Sequence, residues 1–288
     1  MLRAYEQAAV ACAFAAGSAG AAVDVDALWN FNDPAASEAR FRAALINASG
    51  DDALILHTQI ARTLGLRKRY DEAHRELDAI DPALAAAGVE PRVRAWLERG
   101  RTLRSSGKPA EGKPLFMRAF ATADAARLER LAADALHMIA LVEPQLDERI
   151  AWNRRTIAYA QRASDSRAQG WQAAAHNNIG SDLREAKRYD DSLAACRDAL
   201  AAYERAGRAE QVRIARWQIA NVLRLKGQRD EALAMQLALE RDAAAAGAVR
   251  RLRRPRRRRG GRRRDAADRE EHRRHDEGTD PPPLLHDH

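Results

Sequence analysis

Residues 174–200 read Ala-Ala-His-Asn-Asn-Ile-Gly180-Ser-Asp-Leu183, then Arg-Glu-Ala-Lys-Arg-Tyr189-Asp-Asp-Ser192-Leu-Ala-Ala-Cys196-Arg-Asp-Ala199-Leu200. Gly180, Leu183, Cys196 and Ala199 have counterparts eighty residues earlier at Gly100, Leu103, Phe116 and Ala119. Ala220, Leu223 and Ala232 extend the series downstream, and Ile60, Ala61, Leu64, Ala73 and Leu77 extend it upstream. The small residue that opens each unit falls at 61, 100, 140, 180 and 220, at intervals of 39, 40, 40 and 40. A period held this closely over five units marks one supersecondary element repeated along the chain.

Each unit reads as two amphipathic helices. Ile60 and Leu64, and Ile219 and Leu223, are four apart and share one helical face. Breakers follow, at Gly107-Lys-Pro and Lys226-Gly-Gln. A second helix then opens with acids that complement its dipole, as in Tyr70-Asp-Glu-Ala and Tyr189-Asp-Asp-Ser. Gly100, Gly180 and Ala220, set against Ala73, Gly112, Ser192 and Ala232, allow two backbones to cross closely. Leu77 and Phe116 fill the space one turn on. The third unit departs from the pattern: Pro144 falls where its first helix should end, and Trp152 stands near the small-residue position. Ahead of the first unit, Asp33-Pro34 reads as an N-cap followed by proline at the first helical position. Ser37, Phe41 and Ala44 repeat the spacing of a second helix, so 34–47 reads as a half-repeat capping the stack. The fold class is all-α, an α-solenoid of antiparallel helix pairs. Residues 26–249 form the solenoid, nearly all helical to 247, with the last helix ending near Ala246.

The charge is unevenly distributed. Of 288 residues, 49 are Lys or Arg and 41 Asp or Glu, a net charge of +8. Residues 250–288 alone hold 14 Arg and 8 acids, which leaves residues 1–249 at +2. This tail lacks Ile, Val, Phe, Tyr, Trp, Met and Lys, so it cannot build a core and is expected to be disordered. With 44 Arg against 5 Lys in the chain, its composition fits a GC-rich gene read out of frame. The alternatives are a basic arm that binds nucleic acid or an inert natural tail. Residues 1–25 form an alanine-rich N-terminal segment. Its first 22 residues read as a loose helix or as sequence ahead of the true start, since Glu6 and the many alanines weaken an export signal.

No catalytic constellation stands out. There is no glycine-rich phosphate loop and no nucleophile elbow. Two cysteines cannot make a disulfide framework. Cys196 reads as core, and too short an apolar run precedes Cys12 for a lipoprotein signal. His272 and His275 lie among cations that repel a metal, and His57, His74, His137 and His176 read as solvated. No enzyme, metal or cofactor is expected.

The small-x-x-Leu pattern, the glycine or alanine after it, and Tyr-Asp-Glu-Ala followed by Phe-x-x-Ala resemble the tetratricopeptide repeat. Its usual period of ~34 residues is lengthened here, as in kinesin light chains and some bacterial regulators. The resemblance covers about residues 53–246. It implies a concave face lined by the first helix of each unit, with positions two, five, nine and twelve inward when the small residue is counted as eight. On that frame Arg62, Arg101, Arg104, Arg184 and Arg224 face the groove with Asn177, Asn221 and Trp217. Guanidinium forks hold carboxylates, and asparagine amides hold an extended backbone. The expected function is a cytoplasmic, bacterial, non-catalytic scaffold that binds another protein or an acidic peptide, with no membrane association. The alternatives are nucleic-acid binding through the tail and the regulatory part of a truncated larger protein.

Overall fold

The computed structural model describes residues 23–253, and no strand occurs among them. Residues 254–288 of the Arg-rich tail, with His272 and His275, and Cys12 and the possible leader therefore lie outside the described residues, while 250–253, expected to be disordered, end a helix. A short α1 (Val25–Leu28) precedes α2 (Pro34–Leu45). Five antiparallel pairs follow: α3 (Gly50–Leu66) with α4 (Tyr70–Leu84), α5 (Val89–Ser105) with α6 (Pro109–Ala125), α7 (Glu129–Val142) with α8 (Leu146–Arg162), α10 (Trp171–Glu185) with α11 (Tyr189–Arg205), and α12 (Ala209–Leu225) with α13 (Arg229–Arg253). The single-turn α9 (Ser166–Gln169) lies between the third and fourth pairs. Each pair packs on the next, so the chain is an α-solenoid. α13 continues to Arg253, beyond the expected end at Ala246. The run Ala243–Ala246 favours helix, and one glycine costs only about 1 kcal/mol inside it.

The small residues stand where the helices of a pair cross. A Cβ on Gly100 would lie 2.6 Å from the Phe116 ring, and one on Gly112 would lie 2.9 Å from the Gly100 carbonyl oxygen. At the fourth pair, a Cβ on Gly180 would meet Cys196 Sγ at 2.5 Å. Ala61, Ala140 and Ala220 are fully buried at the matching positions. Cys196 is core, as its position implied, and burial pushes its thiol up to about 11. Asp33 caps α2 by accepting from the Ala36 amide at 3.0 Å, with Pro34 at the first position.

Six helices end alike. A residue at positive φ follows the cap, and the next amide returns to a carbonyl five residues back: Arg69 to Leu64, Lys108 to Leu103, Leu128 to Ala123, Arg188 to Leu183, Arg208 to Tyr203 and Gln228 to Leu223, at 2.8–3.0 Å. This is the Schellman termination. Gly107, Gly207 and Gly227 supply the left-handed residue at three of these turns. Lys68, Arg127 and Lys187 adopt it at φ 57–60°, where a side chain is strained.

The third pair breaks the pattern for a local reason. Pro144 forces Glu143 into extended backbone (φ −77°, ψ 119°), so α7 stops at Val142 and no left-handed turn forms. α8 then starts three residues ahead of the forty-residue register. Trp152 is thereby moved out of the small-residue position, which Arg149 takes, while Asn153 and Thr156 take the places of Phe116 and Ala119. Arg149 leaves the crossing by reaching α10, where its Nε donates to Asp182 Oδ1 at 2.9 Å. Trp152 lies half-buried under the Arg155 guanidinium, 4.2 Å from the ring centroid.

Leu193 and Leu233 occupy the same position forty residues apart, but Leu193 is 5% exposed and Leu233 is 55% exposed. Leu193 packs with Ile219, Val222 and Leu223 of the following pair, and Leu233 has no following pair among the described residues. Urea denaturation is therefore expected to show a loss of ~2–5 kcal/mol for Leu193→Ala and under ~0.5 kcal/mol for Leu233→Ala. Lys187→Gly relieves the left-handed strain and should add ~0.5–1 kcal/mol, raising the melting temperature by about 1–4 °C.

Candidate functional site

The first helices α3, α5, α7, α10 and α12 line a concave face that encloses about 1700 Å3. Positions two, five, nine and twelve do open onto it, since Arg94, Leu97, Ser181 and Arg184 all line it. Position six lines it as well, which the repeat frame did not anticipate. Gln59, Glu98, Asn178 and Gln218 sit there at the forty-residue period, and Met138 interrupts them. The signal was legible as a polar residue after position five in four of the five units.

Of the eight residues expected in the groove, the structure places Arg62, Arg104, Asn177, Arg184 and Trp217 on its wall and does not place Arg101, Asn221 or Arg224 there. Arg224 donates to Asn221 Oδ1 at 2.9 Å, and the two satisfy each other one helical turn apart. Arg101 is drawn into an internal ion-pair network. Its Nη1 donates to Glu98 Oε1 at 2.6 Å and its Nη2 to Asp134, while Arg62 Nη1 reaches the same Glu98 oxygen at 3.4 Å. These side chains are 3–19% exposed, so the network is structural.

The charges in the network regulate one another. Burial alone would lift the Asp134 carboxyl, but Arg101 and Arg62 beside it hold it below the ordinary aspartate range. Burial likewise opposes the charge on Arg101, and Asp134 with Glu98 more than restores it. At Arg62 burial and the repulsion of Arg101 win, and its guanidinium is held below the ordinary arginine value. Burial and Arg101 push Arg104 in the same direction.

His137 corrects the expectation of a solvated histidine. It is 3% exposed, tilted against Trp171 at 4.6 Å, with Asn178 Nδ2 3.4 Å from its Nδ1. His57 pairs with Glu76 at 2.7 Å. Among the described residues no group of three or more His, Cys, Asp and Glu could hold a metal ion.

Two features of the face were not legible in the sequence. The first is the run of extra arginines, including Arg130, Arg205 and Arg213, which stand at or near helix starts and ends that the repeat frame does not index. The second is residues 23–32, which cross the face. Trp29 Nε1 donates to Gln59 Oε1 at 3.0 Å, and Asp26 pairs with Arg130 of α7 and Arg167 of α9.

The Arg101–Asp134 pair gives a direct test. Asp134→Ala leaves Arg101 buried with half of its compensation and should cost ~3–5 kcal/mol in chemical denaturation. The sign of the pH effect follows from the lowered carboxyl. The stabilisation is complete above the ordinary aspartate value of 3.8 and is lost as pH falls through the lowered one. The wild-type minus Asp134→Ala difference should thus be flat from pH 7 to 5 and shrink only below pH 3.8.

Residues 171–239, the fourth pair and part of the fifth, match the tetratricopeptide repeat family model. No curated protein matches the chain. Solved structures do. Nearly identical TPR-like repeats from Podosopora anserina, described as kinesin light chain, superpose with a TM-score of 0.55 at 15% identity, covering 69% of this chain and 99% of that one. BtubC (BKLC) from P. vanneervenii superposes with a TM-score of 0.58 at 13% identity, covering 78% and 93%. At these identities the likeness is one of fold, and it agrees with the forty-residue spacing, the small-residue crossings and the concave face: residues 171–239 match tetratricopeptide repeats, and the described chain folds as a TPR-like solenoid with extended repeats.

Proposed function

We propose that this solenoid is a cytoplasmic, non-catalytic scaffold that binds an acidic segment of a partner protein in the C-terminal half of its concave face. Tetratricopeptide repeats are in general protein-interaction scaffolds, and no helix among the described residues is long and apolar enough to cross a membrane. The observation that carries the reading is the inequality of the two halves of the groove. Around α3, α5 and α7 the arginines are mostly matched by Glu98, Asp134 and Asp26. Around α10 and α12, Arg205, Arg208 and Arg213 make no ion pair within the described residues. Among the described residues Arg184 has only Ser181 Oγ at 3.2 Å and Glu185 at 3.9 Å. Beside them, Gln218 is 1% exposed and its Nε2 has no hydrogen-bond partner among the described residues, while Trp217 is 37% exposed. Carboxylates would satisfy the guanidinium groups, a backbone carbonyl would take the Gln218 amide, and the indole would cover an apolar side chain. Preformed helices hold these groups, which lowers the ordering cost of binding.

A displayed library of random twelve-residue peptides, selected on the full chain, should yield sequences rich in Asp and Glu. Replacing Arg184, Arg205 and Arg213 together by Ala should weaken the selected peptides by at least tenfold. Replacing Arg118, Arg155 and Arg197 on the second helices should change them less than twofold. Selection without acidic enrichment, or equal loss from both triples, would mean that net charge alone attracts the peptides.

A further inference from the structure

Residues 23–32 are tied to helices far along the chain. The Asp26 carboxylate lies in the fork of Arg130, with Oδ1 to Nη2 at 2.7 Å and Oδ2 to Nη1 at 2.9 Å, and Arg167 also donates to Oδ2. Arg94 lies close enough to act on the same charge. Sequence separations of 104 and 141 residues show that the contact joins the N-terminal end of the solenoid to its third pair and α9. Asp26 and the residues that flank it are anchored differently. Val25 is 7% exposed in a core cluster with Phe41, Ile55 and Leu56, and Trp29 stacks on Phe31 at 4.3 Å and edges Phe41 at 5.1 Å. The Asp26 contact is open to solvent instead, with side chains 32%, 33% and 59% exposed for Asp26, Arg130 and Arg167.

We propose that Arg130 and Arg167, with Arg94 behind them, form a carboxylate receptor on the concave face, that Asp26 occupies it as a tethered and exchangeable ligand, and that a carboxylate of a partner polypeptide takes its place.

Three arginines around one carboxylate leave positive charge to spare. Arg94 is shared with Glu90, and neither Arg130 nor Arg167 has a carboxylate partner other than Asp26 within the described residues. Ion pairs this exposed contribute little each, so the tether holds the receptor chiefly through its high local concentration. That concentration sets the threshold an external carboxylate must overcome. Partial burial would raise the Asp26 carboxyl, and the arginines hold it below the ordinary range, so the tether stays ionised and engaged at neutral pH. The inference rests on the reading that the face takes an acidic segment, but it concerns the other half of the groove. Loss of peptide binding at Arg184, Arg205 and Arg213 would not alter the measurement that follows.

The probe is a fluorescein-labelled peptide of residues 23–33 added to the full chain. Exchange makes the two sides of the contact act in opposite directions. Asp26→Ala vacates the receptor and should tighten probe binding at least tenfold over wild type. Arg130→Ala with Arg167→Ala, added to Asp26→Ala, should return binding to wild-type level or below. A fixed structural brace predicts no tightening in Asp26→Ala, or equal binding with and without the two arginines, and either result overturns the proposal. If Asp26→Ala loses its helical circular dichroism, hydrogen exchange on the wild type decides. An exchangeable tether requires amides 26–29 to exchange at least tenfold faster than those of 55–64, and equal rates overturn it.

Discussion

The constraint on which the architecture depends is the close crossing of two helix backbones within each pair. At the second pair the crossing leaves no room for a single carbon on either Gly100 or Gly112. Once that distance is fixed, Phe116 and Leu77 have one place to go, which is the seam toward the neighbouring helices, and both are fully buried. The seam sets the spacing from pair to pair, and the spacing sets the concave face. A methyl at the crossing would move the groove by moving the pair, not by touching the groove.

Much of this could be read from residue types. The period was visible because sterics at the crossing tolerate only small side chains and because helix termination recruits glycine three times out of six. The half-repeat was visible because Asp33-Pro34 is a local capping signal that needs no tertiary partner. Arg101 was misplaced because the repeat frame gives a direction for a helix position, whereas a long side chain follows the nearest charge. Asp134 stands at position two of the next unit, and the sequence pattern carries no term for such a pairing. His137 was misread for a related reason, since its partner Trp171 belongs to a helix start displaced by α9. The three-residue slip of α8 follows from Pro144, which was noticed in the sequence, but its effect on Trp152 emerges only when the length of α7 is known.

The groove itself combines two kinds of surface. Its N-terminal half is a buried ion-pair network whose members are mostly committed to each other, which makes it rigid. Its C-terminal half keeps Arg205, Arg208 and Arg213 without an ion pair, and the Gln218 amide without a hydrogen-bond partner, among the described residues. Rigidity in one half and unmatched positive charge in the other are what a recognition surface for carboxylates requires, because the committed half holds the shape that the uncommitted half presents.

The contrast between Leu193 and Leu233 has a meaning beyond packing. In a solenoid each unit completes its predecessor, so stability resembles a one-dimensional sum of unit and nearest-neighbour terms. An interior unit shares two interfaces and the fifth shares one within the described residues. The number of folded units is then itself a thermodynamic variable, with states in which the fifth pair is open lying closest in free energy to the fully folded array. Trp217, Gln218 and Arg213 belong to that pair. Any ligand that bridges α10 and α12 would therefore add an interface term at the weakest link, and binding there would be read out as the length of the ordered array.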